Sequence, residues 1–412
     1  MDTTMDAAPS VPRKRTRTVI AGTRRGGRLP AGVYLLGFSL FAMGSAEFLL
    51  AGVLPDVAAD LGVPLSSAGI LITAFASGVV FGGPPLAVLA LRIPPRTALL
   101  TAQGVFAAGI AVGLFGNYPV LLVSRVISGI AYAGFFAVAA VTAIGLVTAD
   151  RNARASAVVV SGLSVAMVAG GPMGTLLSHF TGWRGGFWAV VALTLLGMIG
   201  CVLRIPARDS EPGATPDLTR ELATLRRPQL WGIFAITVLT TAAYMITFNY
   251  LAAVLTGVTA VPEVWVPAVL ALFGIGAFIG LFIGGRIADR RPHTLLLAGS
   301  LAITALSVVL ALAMGQALVV VPAVFLLGVA AFVLNPALYG RVFALAADAP
   351  TLAGAMTVSA FQLGISATPV LAAVTLTRGA DLTSVCLIGA LLAAAAVPLI
   401  LVDRARQSAE VR

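Results

Sequence analysis

Residues 266–285 read VPAVLALFGIGAFIGLFIGG, twenty positions without a charge, and residues 286–292, RIADRRP, end the run in a basic cluster. Twenty residues of α-helix rise about 30 Å, the thickness of a bilayer's hydrocarbon core, so this stretch predicts a membrane-crossing helix. The same pattern occurs 198 residues earlier: Phe75, Gly78, Gly82, Arg92 and Pro94 correspond to Phe273, Gly276, Gly280, Arg290 and Pro292. Farther along, Gly129 corresponds to Gly328 at nearly the same offset. A repeat of that period in a chain of 412 residues implies a duplicated six-helix unit.

Cutting the apolar runs at Pro, Gly, Asn, Asp and Arg clusters predicts spans at 31–54, 66–89, 97–116, 118–147, 155–180 and 184–204, then at 230–254, 263–285, 294–314, 317–343, 352–376 and 382–402. The expected organisation is a basic N-terminal tail (1–30), a six-helix bundle (31–204), a linker (205–229), a second six-helix bundle (230–402) and a short tail (403–412). Only the linker has the composition of a solvated internal segment, with Asp209, Glu211, Asp217, Arg220, Glu221, Arg226 and Arg227 among its prolines. The fold class expected is an all-α membrane protein of twelve transmembrane helices in two pseudo-symmetric six-helix bundles. Two such bundles enclose a cleft that opens alternately to each side, which is the plan of a transporter.

Composition agrees. Hydrophobic residues make up 59% of the chain and charged residues 10%, against about 25% charged in soluble proteins. The mean hydropathy is +1.02. A secreted enzyme, a nucleic-acid-binding module and a disordered tail protein are excluded, and the net charge of +10 becomes a matter of topology. An even number of spans puts both tails and the even-numbered loops on one side, and 23 of the 26 basic residues fall there, including Arg13, Lys14, Arg15, Arg17, Arg24, Arg25 and Arg28. Arg184 and Arg378 fall on the other side and Arg125 inside a span. Both termini are therefore expected in the cytoplasm and the chain in the plasma membrane. The Arg24-Arg25 pair reads as part of that basic tail rather than as an export signal, since eleven further spans follow it. Cys201 and Cys386 are expected at opposite membrane depths, with no disulfide between them.

Several chemistries lack their residues. No G-x-x-x-x-G-K-[ST] loop is present to cradle a nucleotide's phosphates, so the driving force must be an ion gradient. His179 and His293 stand at span ends on opposite sides with no metal-ligand spacing, and no G-x-S-x-G elbow supports a membrane-embedded enzyme. No cofactor, metal or nucleic-acid partner is expected.

The loop Gly285-Arg286-Ile287-Ala288-Asp289-Arg290-Arg291-Pro292 resembles the G-x-x-x-D-R-x-G-R loop of the major facilitator superfamily, and more narrowly of its twelve-helix drug:proton antiporters. The first-half copy departs from the pattern, with Leu91 in place of the acidic residue ahead of Arg92, Ile93 and Pro94. In the family the acidic residue favours one closed state by engaging charges and helix ends. Span 4, Leu122 to Gly129, resembles the family's R-x-x-x-G signature associated with proton coupling, and Gly170-Gly171-Pro172 in span 5 resembles the antiporters' Gly-Pro motif, a kink or a sliding surface. Span 1, Phe41 to Pro55, is similar to bacterial chloramphenicol and related amphenicol exporters, and arabinose-efflux permeases carry a similar stretch. Implied conformational residues are Arg92, Gly171, Pro172, Gly285, Asp289 and Arg290.

Buried ionisable groups cost about 2.5–3.5 kcal/mol each on insertion scales, so those inside spans ask for a function. Glu47 in span 1 and Arg125 in span 4 qualify, and the rise per residue sets both about 10–12 Å below the outer surface, a depth at which the helices can bring them together. Burial disfavours a charged carboxylate while a nearby guanidinium favours it, so Glu47 is expected to bind and release the transported proton and Arg125 to tune it. A static pair that only locks span 1 to span 4 is the alternative. The corresponding second-half positions, near Phe248 and Val324, are apolar, so neither charge is needed to fold a six-helix unit. Tyr132 and Phe136 share the face of Arg125; Phe332, Asn335 and Tyr339 form a stripe on span 10, with a kink expected at Asn335-Pro336; Tyr244, Phe248, Asn249 and Gln362 complete an aromatic and amide lining. For Asn249, Asn335 and Gln362, hydrogen bonding between helices is an equal alternative to cavity lining. The whole predicts a monomeric, proton-coupled exporter of a small amphipathic drug of the chloramphenicol type, with a sugar or other metabolite as the alternative cargo.

Overall fold

The computed structural model describes residues 29–90, 93–148, 151–206, 227–288, 290–346 and 350–410, and these contain helices and connecting turns with no strand. Among the described residues, twelve helices are long and apolar enough to cross a membrane. They are α1 (Ala31–Leu61), α2 (Leu65–Ala90), α3 (Pro95–Phe115), α4 (Tyr118–Gly145), α5 (Asn152–Val165, continued to Thr181), α6 (Trp183–Arg204), α7 (Pro228–Asn249, then Leu251–Gly257), α8 (Val266–Ile287), α9 (Pro292–Leu312), α10 (Ala317–Phe332, then Asn335–Leu345), α11 (Pro350–Leu376) and α12 (Thr383–Glu410). Leu91, Arg92 and Asp289, the basic residues of the N-terminal tail and residues 207–226 of the linker lie outside the described residues.

Two helices outrun their expected spans by two turns or so, the others by no more than a turn. Pro55 does not end α1; the helix continues one and a half turns to Leu61 and stops at Gly62, whose φ of 62° lets its N–H cap the carbonyls of Ala58 and Ala59. Helix α12 runs on past residue 402, so Asp403 is a buried helical residue rather than the start of a tail.

Three helices break, two of them where the sequence carries the cause. In α5, Pro172 cannot donate to the carbonyl four residues back, and Ala166–Gly170 form a π-helical turn directly before it. Helix α7 breaks at Tyr250. Helix α10 breaks at Val333 and Leu334, immediately before the Asn335-Pro336 pair that predicts a kink.

Within each half the packing repeats with a six-helix offset. Helix α2 crosses α4, α3 packs on α4 and α6, and α1 on α5 and α6; likewise α8 crosses α10, α9 packs on α10 and α12, and α7 on α11 and α12. The repeated glycines explain the crossings. A Cβ on Gly129 would run into the carbonyl of Phe75, and one on Gly78 into that of Val126; Gly328 and Gly276 meet the carbonyls of Phe273 and Phe325 in the same way. The repeat read from the sequence is thus a pair of backbone-to-backbone helix contacts.

The halves meet along two seams. On one, α2 lies against α11, where Thr73 Oγ1 donates to the Ser366 carbonyl at 2.8 Å and the buried Tyr250 ring fills the space that Gly69 leaves beside Pro369. On the other, Gly274 of α8 abuts the backbone of Met167 and Val168 in the π turn of α5. Calling the face that bears both described chain ends the terminal face, the halves close over the centre on the opposite face. There Gly52 of α1 meets Thr175 and Leu270, and His179 faces Glu263 at 3.9 Å.

Candidate functional site

Between the halves, on the terminal side of this closure, is a cavity of about 310 Å³. That is the lower end of the range for small-ligand sites. Its walls come from both halves: Glu47 and Phe48 of α1, Tyr132 and Phe136 of α4, Leu163, Ser164 and Met167 of α5, Thr241 and Tyr244 of α7, Phe278 of α8, Phe332, Asn335 and Tyr339 of α10, and Phe361 and Gln362 of α11. The roof toward the far face is aromatic, with Phe48 edge-on to Phe248 at 6.2 Å and Phe248 against Phe273 at 4.6 Å. On the side walls Tyr244 lies 5.5 Å from Phe332, and Tyr339 stacks on Phe361 at 5.5 Å. Such a lining offers π faces and a few hydroxyl and amide groups to a ring-bearing, uncharged molecule.

Glu47 is the one carboxylate among the described residues of these walls. It is 9% exposed, and its Oε1 accepts a hydrogen bond of 3.2 Å from Nε2 of Gln362, on the other half of the molecule. The Oε1 of Gln362 is buried without a hydrogen-bond partner. Arg125 lies behind the wall rather than in it. Its Nε donates to the Leu71 carbonyl at 3.4 Å, and its guanidinium sits 4.5 Å over the Phe75 ring and 5.9 Å from that of Phe187. Phe75 in turn packs on Tyr132. The matched depths of Glu47 and Arg125 therefore do not bring them into an ion pair, because the guanidinium turns toward α2 and α6 while the carboxylate turns toward α11. Arg125 still acts on Glu47 through space as a neighbouring positive charge.

Of the residues expected to line a pocket, Tyr132, Phe136, Tyr244, Phe332, Asn335, Tyr339 and Gln362 converge on this cavity. Phe248 and Asn249 do not. Phe248 lies a turn beyond Tyr244, in the roof, and Asn249 points to α11, where its Nδ2 donates to Thr368 Oγ1 at 2.8 Å. Gly171 packs so tightly on α1 that a Cβ would meet Phe48, and Pro172 beside it is buried. Gly285 and Arg290 sit at the exposed terminal end of α8 and the turn after it.

One polar cluster escaped the sequence reading. Asp403 of α12 accepts two hydrogen bonds from Arg341 of α10, Nε at 3.1 Å and Nη2 at 2.8 Å, and its Oδ2 lies 2.8 Å from Nε2 of His293 on α9. All three side chains are buried near the terminal face. Arg341 falls inside the tenth expected span, a second arginine in an apolar run, and that placement is the sequence signal for the cluster. The equivalent first-half positions are Pro95, Ala143 and Ile205, so this lock belongs to the second half alone.

Twelve membrane-crossing helices in two repeats around a central cavity define a polytopic membrane transporter. Comparison with known proteins gives the family. The Major Facilitator Superfamily profile matches residues 36–369, and the chain belongs to this superfamily. It is 42% identical to a chloramphenicol resistance protein of Streptomyces lividans over 352 residues, 84% of this chain and 90% of that one. It is 30% identical to the inner membrane transport protein YdhP of Escherichia coli over 373 residues, 90% of this chain and 95% of that one. Among solved structures, the nucleoside transporter NupG superposes with a TM-score of 0.72 at 15% identity, over 90% of this chain and 99% of that one. A bacterial homologue of the lysosomal transporter Spinster, solved inward-facing and unoccupied, gives 0.66 at 18% identity, over 92% and 96%. These two likenesses concern the fold.

Proposed function

We propose that this transporter exports a small, uncharged amphipathic compound of the chloramphenicol type in exchange for protons, with Glu47 as the proton carrier. The observation that carries the reading is the Glu47 carboxylate in the cavity wall, buried, and hydrogen-bonded to a side chain of the opposite half. A buried acid is stable as the neutral form or as a well-partnered anion, so a change of access to water or of partners switches its protonation. The 42% identity to a chloramphenicol resistance protein supports the cargo class. The aromatic lining suits it as well.

In the proposed cycle the terminal face is cytoplasmic, as the arginines of the even-numbered loops favour. The cargo enters from that face as Glu47 releases its proton inward. The bundles 31–204 and 230–402 then rock about the cavity, and Glu47 is reprotonated from outside as the cargo leaves. Arg125 holds positive potential behind the carboxylate and stabilises the anionic step. The test is growth of a drug-sensitive bacterial host expressing the chain across an antibiotic panel that includes chloramphenicol, beside Glu47→Gln at matched expression. Protection that is lost in Glu47→Gln supports the reading. Full protection by Glu47→Gln removes Glu47 from coupling, and no protection by the wild type removes this cargo class.

A further inference from the structure

The side-chain amide of Gln362 can both donate and accept, and only its donating nitrogen is engaged. Its Nε2 donates to Oε1 of Glu47, while its own Oε1, an acceptor, is buried with no donor against it. Both residues line the same cavity, and they belong to opposite halves. An acceptor buried without a donor is destabilising, so any donor able to reach it is favoured.

Two donors have access to this position. One is the hydroxyl of Glu47 itself once protonated, since an acid and a primary amide form a two-bond ring in which N–H donates to one acid oxygen and the acid O–H donates to the amide oxygen. The other is an O–H or N–H of a molecule held in the cavity. We propose that Gln362 Oε1 is the atom for which the proton on Glu47 and a hydrogen-bond donor of the cargo compete, so that the amide of Gln362 is what links cargo binding to proton release. The proposal rests on the assignment of proton transport to Glu47. When the cargo donates to Oε1, the acid O–H loses its acceptor. The proton then leaves to water, and Nε2 remains to stabilise the carboxylate. When the cargo departs, reprotonation closes the acid–amide ring and ties α1 to α11 across the halves. The cargo class this requires is an uncharged molecule bearing at least one hydroxyl or amide donor beside its apolar ring; an apolar molecule without a donor would bind without displacing the proton. The other titratable and charged groups around Glu47 are Arg125 and Tyr132 of α4, Tyr244 of α7 and Tyr339 of α10, and none of them holds the amide oxygen.

The experiment measures chloramphenicol binding to purified wild type, Glu47→Gln and Gln362→Met from pH 5.5 to pH 8.5, with proton release read by a pH dye in weak buffer. Thermal melting confirms that each variant is folded. Linkage predicts for the wild type an affinity that falls by about tenfold per pH unit on the acid side, with about one proton released per drug. Gln362→Met is expected to bind several-fold more weakly, with a flat pH dependence and release reduced to a small fraction. Release lost in Glu47→Gln but undiminished in Gln362→Met overturns this inference alone. Release that persists in Glu47→Gln overturns the proton assignment and the inference with it. Should Gln362→Met fail to fold, infrared difference spectra of the wild type decide. The protonated-carboxyl band that grows on acidification and is absent in Glu47→Gln is expected to vanish on adding chloramphenicol, and a band that stays refutes competition.

Discussion

Replacing Asp403 by leucine tests how the second half is held together at the terminal face. The carboxylate is 6% exposed and is the acceptor of two Arg341 hydrogen bonds, with His293 at 2.8 Å. Removing it strands a guanidinium that is itself 8% exposed. Breaking one partner of a buried pair costs about 3–5 kcal/mol, much of it the uncompensated charge left behind rather than the worth of the bond. At roughly 2 °C per kcal/mol for a chain of this size, the melting temperature should drop by roughly 6–10 °C. The double variant Asp403→Leu/Arg341→Leu removes the stranded charge along with its partner. It should recover most of that loss, giving a coupling of about 2–4 kcal/mol in the double-mutant cycle. The assay is thermal melting of purified protein in one detergent at one salt concentration, followed by tryptophan fluorescence. A drop in Asp403→Leu of under about 1 kcal/mol, or a double variant no better than the single one, refutes the buried lock, because either outcome means that Arg341 reaches water or another acceptor without Asp403.

Four further outcomes follow from the geometry. Gly129→Leu and Gly328→Leu should abolish folded protein, because each side chain would meet the carbonyl of the crossing helix, whereas Gly145→Leu, with open space around it, should be tolerated; size-exclusion yields compare them. Asn249→Ala should lower stability by about 1 kcal/mol through loss of its bond to Thr368 and leave drug affinity within twofold, and a larger affinity change would put Asn249 in the binding wall. Tyr339→Leu should raise the KM for export several-fold with melting little changed, since its ring stacks on Phe361 at the cavity wall; unchanged transport would show that the cargo sits elsewhere. Arg125→Leu should keep binding of an uncharged drug but displace the pH range over which export runs, since the positive charge behind Glu47 is removed, and an unmoved pH profile would make Arg125 purely structural.

The membrane-crossing helices were legible because the hydrocarbon core imposes a length and a composition on each one independently. The same holds for the repeat: Gly78, Gly129, Gly276 and Gly328 mark backbone contacts that admit no larger side chain, so the duplication stayed visible at those positions. Breaks in α5 and α10 were legible too, at Gly171-Pro172 and Asn335-Pro336, where proline removes a backbone donor beside a residue of low helix propensity. Helix ends were less so. Pro55 lies within α1 because the helix continues into a polar end where Asp56 and Asp60 reach out, and a window tuned to apolar residues stops short of that turn.

Most of the cavity wall followed from helical spacing once two facing halves were assumed, yet spacing alone placed Phe248 with Tyr244 and set Arg125 opposite Glu47. Depth along a helix is a one-dimensional quantity that sequence carries. Rotation about the axis is not, and it sends Phe248 into the roof, Asn249 to Thr368 and the Arg125 guanidinium to Leu71 and Phe75. The sequence by itself thus determined a membrane protein of twelve helices in two related halves, with Glu47 as an acid buried inside the first span, because hydrophobicity, length and the cost of buried charge act on each segment separately. Only the tertiary structure decided that Glu47 pairs with Gln362 rather than Arg125, and that Arg341, His293 and Asp403 form one cluster. Those partners lie 315, 62 and 110 residues apart, and their meeting depends on how whole helices rotate and tilt against one another.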